Sequence, residues 1–242
     1  MIIKSGIFEK FEGVICAVST RMGGVSKEPF GMNLSYKVGD EEETVKRNRY
    51  LFFSRVGISE KNIVTQNQTH SANITYCENP EHLQDNDGIY TPVKNLFLSV
   101  TIADCIPVFI YCSDKKIVAA VHSGWKGTAN EITSKMINEL KTKYSVNPKS
   151  IYCYIGPGIS VKHYEIGKDI INNFSEESLE FRDDKIFLDL KKEIFSQLTD
   201  SEIPEANIEV SDYCTFERFD LFHSYRRDGT QSGRMMGVIG MI

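Results

Sequence analysis

Two apolar runs separated by four polar residues constrain the fold of this chain more than any other feature. The runs are Val108–Cys112 and Ile117–His122, and the polar residues between them are Ser113–Lys116. Short runs rich in Val and Ile are typical of buried strands, and the polar segment predicts a hairpin turn. Cys105 precedes the first run and His122 ends the second one. Side chains at strand ends beside loops can converge on one cleft, so we expect both residues to face a functional site.

The composition excludes several classes of protein. The chain has 242 residues, of which 41% are hydrophobic and 25% are charged, and its formal net charge is -5. These values are ordinary for a globular protein, and the sequence has no basic stripe of the kind that binds nucleic acid. No apolar stretch reaches the ~18 residues that suggest a membrane-spanning helix. We therefore expect neither a nucleic-acid partner nor membrane insertion.

The domain organisation is predicted to be simple. The sequence has no internal repeat, no low-complexity tract and no linker rich in Pro or Ser, which favours a single domain over residues 1–242. The N-terminal segment lacks the apolar stretch and the small-residue cleavage site of a signal peptide. The six cysteines are therefore expected to be reduced thiols. The predicted location is the cytoplasm.

The remaining patterns predict an α+β fold. Asp40 with Glu43 matches a capping box for a helix that ends near Val56, and Thr128 with Glu131 matches a second capping box. Adjacent hairpins with few helices favour a mixed or antiparallel sheet over a doubly wound parallel sheet. The other predicted strands are Asn62–Gln66, Ala72–Cys77, Leu96–Thr101, Ile151–Ile155, Ile208–Ser211 and Met235–Met241, and the other predicted helices are Lys168–Phe174 and Leu190–Leu198.

Three residues at predicted strand ends form a candidate reactive centre. They are His70, Cys105 and His122. Two imidazoles and one thiolate with an open fourth position are typical of a catalytic zinc site. The same atoms also fit Cys–His catalysis, in which Cys105 is the nucleophile, His122 is the base, and Asp104 or Asp87 orients the histidine. The spacing of these residues does not separate the two interpretations.

Basic residues near glycines are candidates for holding an anion. The segment Phe222–Arg234 contains three arginines, which can grip phosphate or carboxylate through two hydrogen bonds each. Arg21 lies in a Gly-Gly loop, and Lys126 follows the single Trp of the chain. A solvated hairpin turn with surface arginines is the alternative interpretation of the Phe222–Arg234 segment.

Taken together, these motifs resemble the multicopper polyphenol oxidoreductase (laccase-like) family. Its members are also described as purine nucleoside phosphorylases with adenosine deaminase activity, and in some bacteria as peptidoglycan editing factors. The matching motifs run in order through nearly the whole chain. They are Ser19–Ser26, Asn33–Leu34, Gly39–Asp40, Gln68–His70, Asp87–Gly88, Ala103–Pro107, Val121–Gly127, Ile155–Gly158, Tyr164–Glu165, Leu188–Leu190, Cys214–Thr215, Ser224–Gly229 and Gly233–Arg234.

The resemblance implies a metal site and a fold. It implies that His70, Cys105 and His122 bind zinc, although copper has been proposed for some members. It also implies packed mixed sheets flanked by helices, related to a cysteine-hydrolase-like fold. A blue-copper centre with a trinuclear cluster needs more ligands than five histidines provide, so the laccase name fits the residues poorly. Ser123 and Lys126 depart from the family pattern, and lysine lacks the fork that grips phosphate.

The activity that the resemblance implies is phosphorolysis of adenosine, inosine, guanosine and methylthioadenosine, together with deamination of adenosine. The expected partners are a nucleoside and phosphate, and the chain is expected to be a monomer or a weak homo-oligomer. Asp104 or Asp87 is the candidate proton shuttle. The candidate ligands for substrate and phosphate are Arg21, Asn33, Lys126, Arg226 and Arg227.

Two other functions remain open at this point. One is a cytoplasmic hydrolase that uses Cys105 and His122 on a cell-wall precursor. The other is a partner protein that keeps the metal ligands without turnover.

Overall fold

The computed structural model describes residues 1–242 and contains fifteen strands in three sheets. The first sheet is mixed, because its β3 (Ile63–Gln66) pairs in parallel with both β7 (Phe97–Ile102) and β5 (His82–Leu83) while the other pairs are antiparallel. In spatial order its strands are β1 (Ile2–Lys4), β2 (Val14–Ser19), β15 (Met235–Met241), β7 (Phe97–Ile102), β3 (Ile63–Gln66) and β5 (His82–Leu83).

The second sheet contains the expected hairpin at its centre. Its strand β8 (Ile106–Cys112) pairs antiparallel with β9 (Ile117–Ser123) so that Pro107 lies opposite His122, and Ser113–Lys116 forms the turn. This register brings Cys105 and His122 to the same end of the sheet. In spatial order the strands are β14 (Ile208–Val210), β10 (Ile151–Ile155), β8 (Ile106–Cys112), β9 (Ile117–Ser123), β6 (Gly88–Thr91) and β4 (Ile74–Tyr76).

A small antiparallel sheet and six helices complete the α+β fold, which confirms the predicted class. None of the helices combines the length and the apolar composition that crossing a membrane requires. The small sheet consists of β11 (Glu165–Ile166), β13 (Lys185–Leu188) and β12 (Leu179–Arg182). The helices are α1 (Gly6–Glu9), α2 (Glu42–Val56), α3 (Trp125–Ala129), α4 (Ile132–Tyr144), α5 (Leu190–Asp200) and α6 (Tyr225–Asp228).

The two large sheets pack face to face, with helices on their outer faces. Side chains alternate between the faces of a strand, and β8 is apolar on both. Its Phe109 and Tyr111 join a core that β2, β7 and β15 line from the first sheet. Its Val108 and Ile110 join a second core that α4 and α5 cover. On the far side of the first sheet, α2 contributes Phe52 and similar side chains to a third core.

The structure differs from the sequence prediction at one helix. The segment Lys168–Phe174 contains only a short 3-10 turn at Ile171–Asn173. Its β-branched and Asn residues have low helix propensity, and the turn contributes no buried side chain. No helix therefore forms there.

Both predicted capping boxes are absent. The side chain of Asp40 accepts hydrogen bonds from Ser26 and Asn33 in the preceding loop, and α2 begins at Glu42. Thr128 lies inside α3, where its hydroxyl donates to the carbonyl of Gly124. Asp40 joins the preceding loop to the start of α2, because its Oδ1 also accepts from the backbone N–H of Glu41 and from the hydroxyl of Thr44. Neither Asp40 nor Thr128 occupies an N-cap position.

Candidate functional site

A cavity of about 1010 Å³ opens where β3, β7 and β9 meet the neighbouring loops. His70, Cys105 and His122 line one part of the cavity. Residues from the C-terminal segment line another part, including Arg226 and Arg234. The cavity therefore collects chemical groups from segments that are far apart in the sequence.

The three candidate metal ligands converge at this cavity. The ligand atoms of His70, Cys105 and His122 all lie within 4.8 Å of one another. The Sγ atom of Cys105 is 3.7 Å from Nε2 of His70. His122 is buried at the end of β9, whereas His70 is exposed in the loop after β3. This is the one group of three or more such donors that the structure brings together.

Asp87 orients His122 and does not line the cavity. The buried Oδ1 of Asp87 is 2.8 Å from Nδ1 of His122, so the carboxylate holds a proton on that nitrogen. Asp87 also accepts backbone hydrogen bonds from Thr69, His70 and Ser71. Burial favours the neutral acid, but the bonds to His122 and Ser71 outweigh it and lower the pKa of Asp87 to about 2. Nε2 is therefore the nitrogen of His122 that can bind a metal, and a metal would displace the proton that Nε2 carries beside the Cys105 thiolate.

Cys105 and His122 stabilise each other's charge. Burial favours the neutral thiol, but the nearby imidazoles of His122 and His70 lower the pKa of Cys105 to about 6. Burial also favours neutral imidazole, but Cys105 and Asp87 raise the pKa of His122 to about 9. Cys105 is therefore held as a thiolate, which is the form that binds metal or attacks a substrate.

The three donors fit zinc. Two imidazole nitrogens at about 2.0–2.1 Å and a thiolate at about 2.3 Å from a tetrahedral zinc lie roughly 3.3–3.6 Å apart. The separation of 3.7 Å between Cys105 Sγ and His70 Nε2 is close to this range, and the whole trio lies within 4.8 Å, so a small closure would bring the donors to zinc-binding distances. Because all three residues line the cavity, a metal held by them would be accessible to a molecule bound there.

Asp104 lies beside Cys105 but already has hydrogen-bond partners. Its Oδ1 accepts from the hydroxyl of Thr215 at 2.7 Å, and its Oδ2 accepts from the backbone N–H of Arg226 at 2.7 Å. Its φ of 92° places it in the left-handed region. These contacts give Asp104 a positioning role, while the predicted role as a proton shuttle stays a prediction.

Arg21 and Asn33 lie outside the cavity. The guanidinium of Arg21 bonds to Glu28 at 3.0 Å and to two backbone carbonyls, so it holds its own loop together. Asn33 is fully buried, accepts from the backbone N–H of Arg234 and donates to Asp40. The structure does not bring either side chain to the other candidate residues.

Arg227 and Lys126 do not line the cavity either. The guanidinium of Arg227 bonds to Asp228 and to three backbone carbonyls, which leaves it little capacity for a ligand. The ammonium of Lys126 lies 5.5 Å from the ring centroid of Trp125 and is exposed. Of the predicted phosphate ligands, only Arg226 reaches the cavity.

Arg234 and the aromatic residues Trp125, Tyr164 and Tyr225 complete the cavity. No sequence pattern predicts a role for these aromatic side chains. Arg226 and Arg234 have no carboxylate within 4.0 Å of their guanidinium groups. Tyr164 and Tyr225 line the cavity next to them, and Trp125 also lines it. Both tyrosines lie in motifs that match the family, Tyr164–Glu165 and Ser224–Gly229, but no spacing pattern identifies them as residues of the cavity wall.

Comparison with known proteins gives consistent matches over the whole chain. A Bacillus subtilis protein named Purine nucleoside phosphorylase YlmD is 34% identical, and the match covers 94% of this chain and 88% of the relative. The crystal structure of Bacillus licheniformis hypothetical protein YfiH matches with a TM-score of 0.93 and 30% identity, covering 100% of this chain and 96% of that one. The structure of YlmD from Geobacillus stearothermophilus matches with a TM-score of 0.92 and 28% identity, covering 98% of this chain and 94% of that one.

These matches confirm the resemblance that the sequence motifs indicated. The family model described as multi-copper polyphenol oxidoreductase laccase matches residues 15–242. The chain therefore belongs to this family.

Proposed function

We propose that this protein is a zinc-dependent purine nucleoside phosphorylase. The observation that carries the proposal is the meeting of the His70, Cys105 and His122 donors with two arginines that lack carboxylate partners, all in one cavity. The relatives named purine nucleoside phosphorylase support the substrate class. We infer adenosine, inosine, guanosine and methylthioadenosine as substrates for phosphorolysis, with deamination of adenosine at the same site.

The two arginines would bind phosphate. Guanidinium groups form paired, charge-assisted hydrogen bonds to phosphate oxygens. Arg226 and Arg234 face the cavity without a competing carboxylate, so their charge is available to an anion. Holding phosphate beside the ribose C1′ removes much of the entropic cost of bringing two reactants together.

The metal ligands and Trp125 would contact the nucleoside. Bound zinc would supply Lewis-acid chemistry at this part of the cavity. Asp87 keeps the proton on Nδ1 of His122 and thereby fixes the ring that holds the metal. Trp125 offers an aromatic surface in the cavity against which a purine ring can stack.

Copper oxidation is not proposed, because the donors do not fit it. A blue-copper centre and a trinuclear cluster need many more histidines than the three-donor group provides. The six cysteines are all unpaired, which supports the inference that the protein works in the reducing cytoplasm. We infer a monomer or a weak homo-oligomer.

A product assay by chromatography tests the proposal. Zinc-loaded protein is incubated with adenosine, with and without phosphate, beside the Cys105→Ala variant and a matched Cys16→Ala control. Cys16 is a buried core thiol that does not line the cavity, so its loss should leave turnover unchanged. Adenine that forms only with phosphate, and not with Cys105→Ala, supports phosphorolysis. Inosine formed without phosphate supports deamination, and the absence of both products from zinc-loaded protein refutes the proposal.

A second candidate is a Cys–His hydrolase acting on a cell-wall precursor. The arrangement of three side chains favours it, because it matches a nucleophile, a base and an orienting carboxylate. Asp87 binds His122 through a hydrogen bond, and the charge of His122 lowers the pKa of Cys105. This enzyme would keep its activity after chelation and lose it to a thiol alkylator. The zinc enzyme would lose its activity to the chelator and regain it when zinc is added.

A further inference from the structure

We propose that Tyr164 is a positioning residue that sets the affinity for phosphate by holding the guanidinium of Arg226 at the cavity wall. This inference rests on the proposed phosphorolysis and adds a residue to it. Tyr225 serves Arg234 in the same way but more weakly. Both tyrosines act through an arginine and not on the reacting atoms.

Arg226 is held at three points. Its Cζ lies 5.0 Å from the ring centroid of Tyr164. Its Nη1 donates to the carbonyl of Glu165 at 3.0 Å, and its backbone N–H donates to Asp104 at 2.7 Å. A long exposed side chain would otherwise sample many rotamers, and ordering it on binding would cost free energy. The ring of Tyr164 reduces this cost before the anion arrives.

The contact with the ring leaves the hydrogen-bond donors of Arg226 available. A guanidinium has five N–H donors. The face of an aromatic ring attracts the positive charge of the guanidinium but does not use these donors in conventional hydrogen bonds. Only the Nη1 group of Arg226 has a protein acceptor. The other donors of Arg226 can therefore bind an anion in the cavity.

Arg234 and Tyr225 provide a comparison within the same wall. The Cζ of Arg234 lies 5.4 Å from the ring centroid of Tyr225, and its Nη1 donates to the carbonyls of Ser232 and Gly233. Tyr225 is 53% exposed, whereas Tyr164 is partly buried. Water competes with cation–π attraction at exposed rings, and the two carbonyls already fix Arg234. Loss of the Tyr225 ring should therefore matter less than loss of the Tyr164 ring.

The hydroxyl of Tyr164 allows the ring to be tested separately. This hydroxyl is not part of any hydrogen bond within the chain, and the contact with Arg226 is made to the ring. Y164F keeps the ring and removes the hydroxyl, whereas Y164L removes both. A positioning role for the ring therefore predicts that only Y164L is impaired.

The test measures the KM for phosphate and kcat at saturating nucleoside for the wild type, Y164L, Y164F and Y225L. Titration calorimetry with inorganic phosphate on zinc-loaded protein measures binding directly. We expect Y164L to raise the KM and Kd for phosphate about fivefold, which corresponds to about 1 kcal/mol, with kcat nearly unchanged. Y225L should raise them about twofold, and Y164F should match the wild type.

Several outcomes would overturn the inference. They are an unchanged phosphate affinity in Y164L, an equal loss in Y164F and Y164L, a fall in kcat without a change in KM, and a wild type that binds no phosphate. If Y164L fails to fold, as judged by thermal unfolding, Y164M replaces it, because methionine keeps a long apolar side chain without the ring. Wild-type protein that binds phosphate but releases no purine would refute the phosphorylase proposal, and the calorimetric comparison would still decide the role of Tyr164.

Discussion

Gly124 has no room for a side chain, and replacing it with alanine should disrupt the metal site. The position lies between β9 and α3, directly against two of the proposed ligands. A Cβ atom there would lie 2.8 Å from Sγ of Cys105 and 2.9 Å from Cδ2 of His70. Favourable contacts between such atoms begin near 3.5 Å, so the ligands would have to move by about 0.6–0.7 Å.

A shift of this size exceeds what a metal site tolerates. Ligand distances in real sites agree with ideal values to about 0.2 Å. Changes next to metal ligands typically lower metal affinity by about 10–100-fold, and we expect Gly124→Ala to reach the upper end, which corresponds to about 2.7 kcal/mol. The backbone angles of Gly124 are φ −83° and ψ 176°. Alanine adopts them without strain, so the effect should come from the contact alone.

Competition with a chromophoric chelator measures the zinc affinity, and the spectrum of the cobalt-substituted protein reports the ligand geometry. Gly127→Ala is the matched control from the same motif, because its Cβ would meet Ile132 and Ser71 at 3.4 Å, which is a tolerable contact. Zinc affinity and a cobalt spectrum equal to wild type in Gly124→Ala would refute the steric argument and the assignment of this trio as ligands.

Three further predictions concern other parts of the molecule. Asp87→Asn should lower zinc affinity about 10–100-fold in the same competition assay, because His122 loses the carboxylate that fixes it; wild-type affinity would contradict this. His223 is buried with both ring nitrogens unpartnered, and burial, helped by the charge of Arg21, lowers its pKa to about 3. Between about pH 6.5 and pH 3 the unfolded chain therefore binds a proton that the folded chain does not, so acid destabilises the fold. Urea unfolding should show a loss of about 2 kcal/mol from this residue between pH 7 and pH 5, and His223→Leu should remove that part of the pH dependence; an unchanged dependence would refute it. Because the two large sheets share one core, calorimetry of the metal-free chain should show a single unfolding transition, and two separate transitions would contradict the one-domain prediction.

The sequence predicted the centre of the fold well, because the strongest patterns lie there. The hairpin of β8 and β9 is apolar on both faces, which gives continuous runs with an obvious turn between them. The convergence of Cys105 and His122 follows from that hairpin. The two-residue strands β5 and β11 have no such signal, because two residues carry no periodicity. Pairing with distant strands alone defines them.

The roles of charged residues were harder to predict, because the sequence shows which residues are charged but not which groups they contact in the fold. Arg226 and Arg227 are neighbours with the same chemistry, yet only Arg226 lines the cavity while Arg227 binds backbone carbonyls and Asp228. Asp104 and Asp87 are both buried near the ligands, but each is committed to hydrogen bonds with residues distant in the chain. Tertiary contacts decide these roles, and no local pattern in the sequence records them.

The position of β15 has a consequence for how the chain is assembled. This strand is the last in the sequence, yet it lies between β2 and β7 near the middle of the first sheet. During synthesis, β2 and β7 emerge long before their shared neighbour, and their unpaired edges stay exposed until residues 235–241 leave the ribosome. Folding of the first sheet is therefore not complete until β15 has emerged. A nascent chain that stalls before β15 would present two open edges to other chains, and open strand edges promote aggregation.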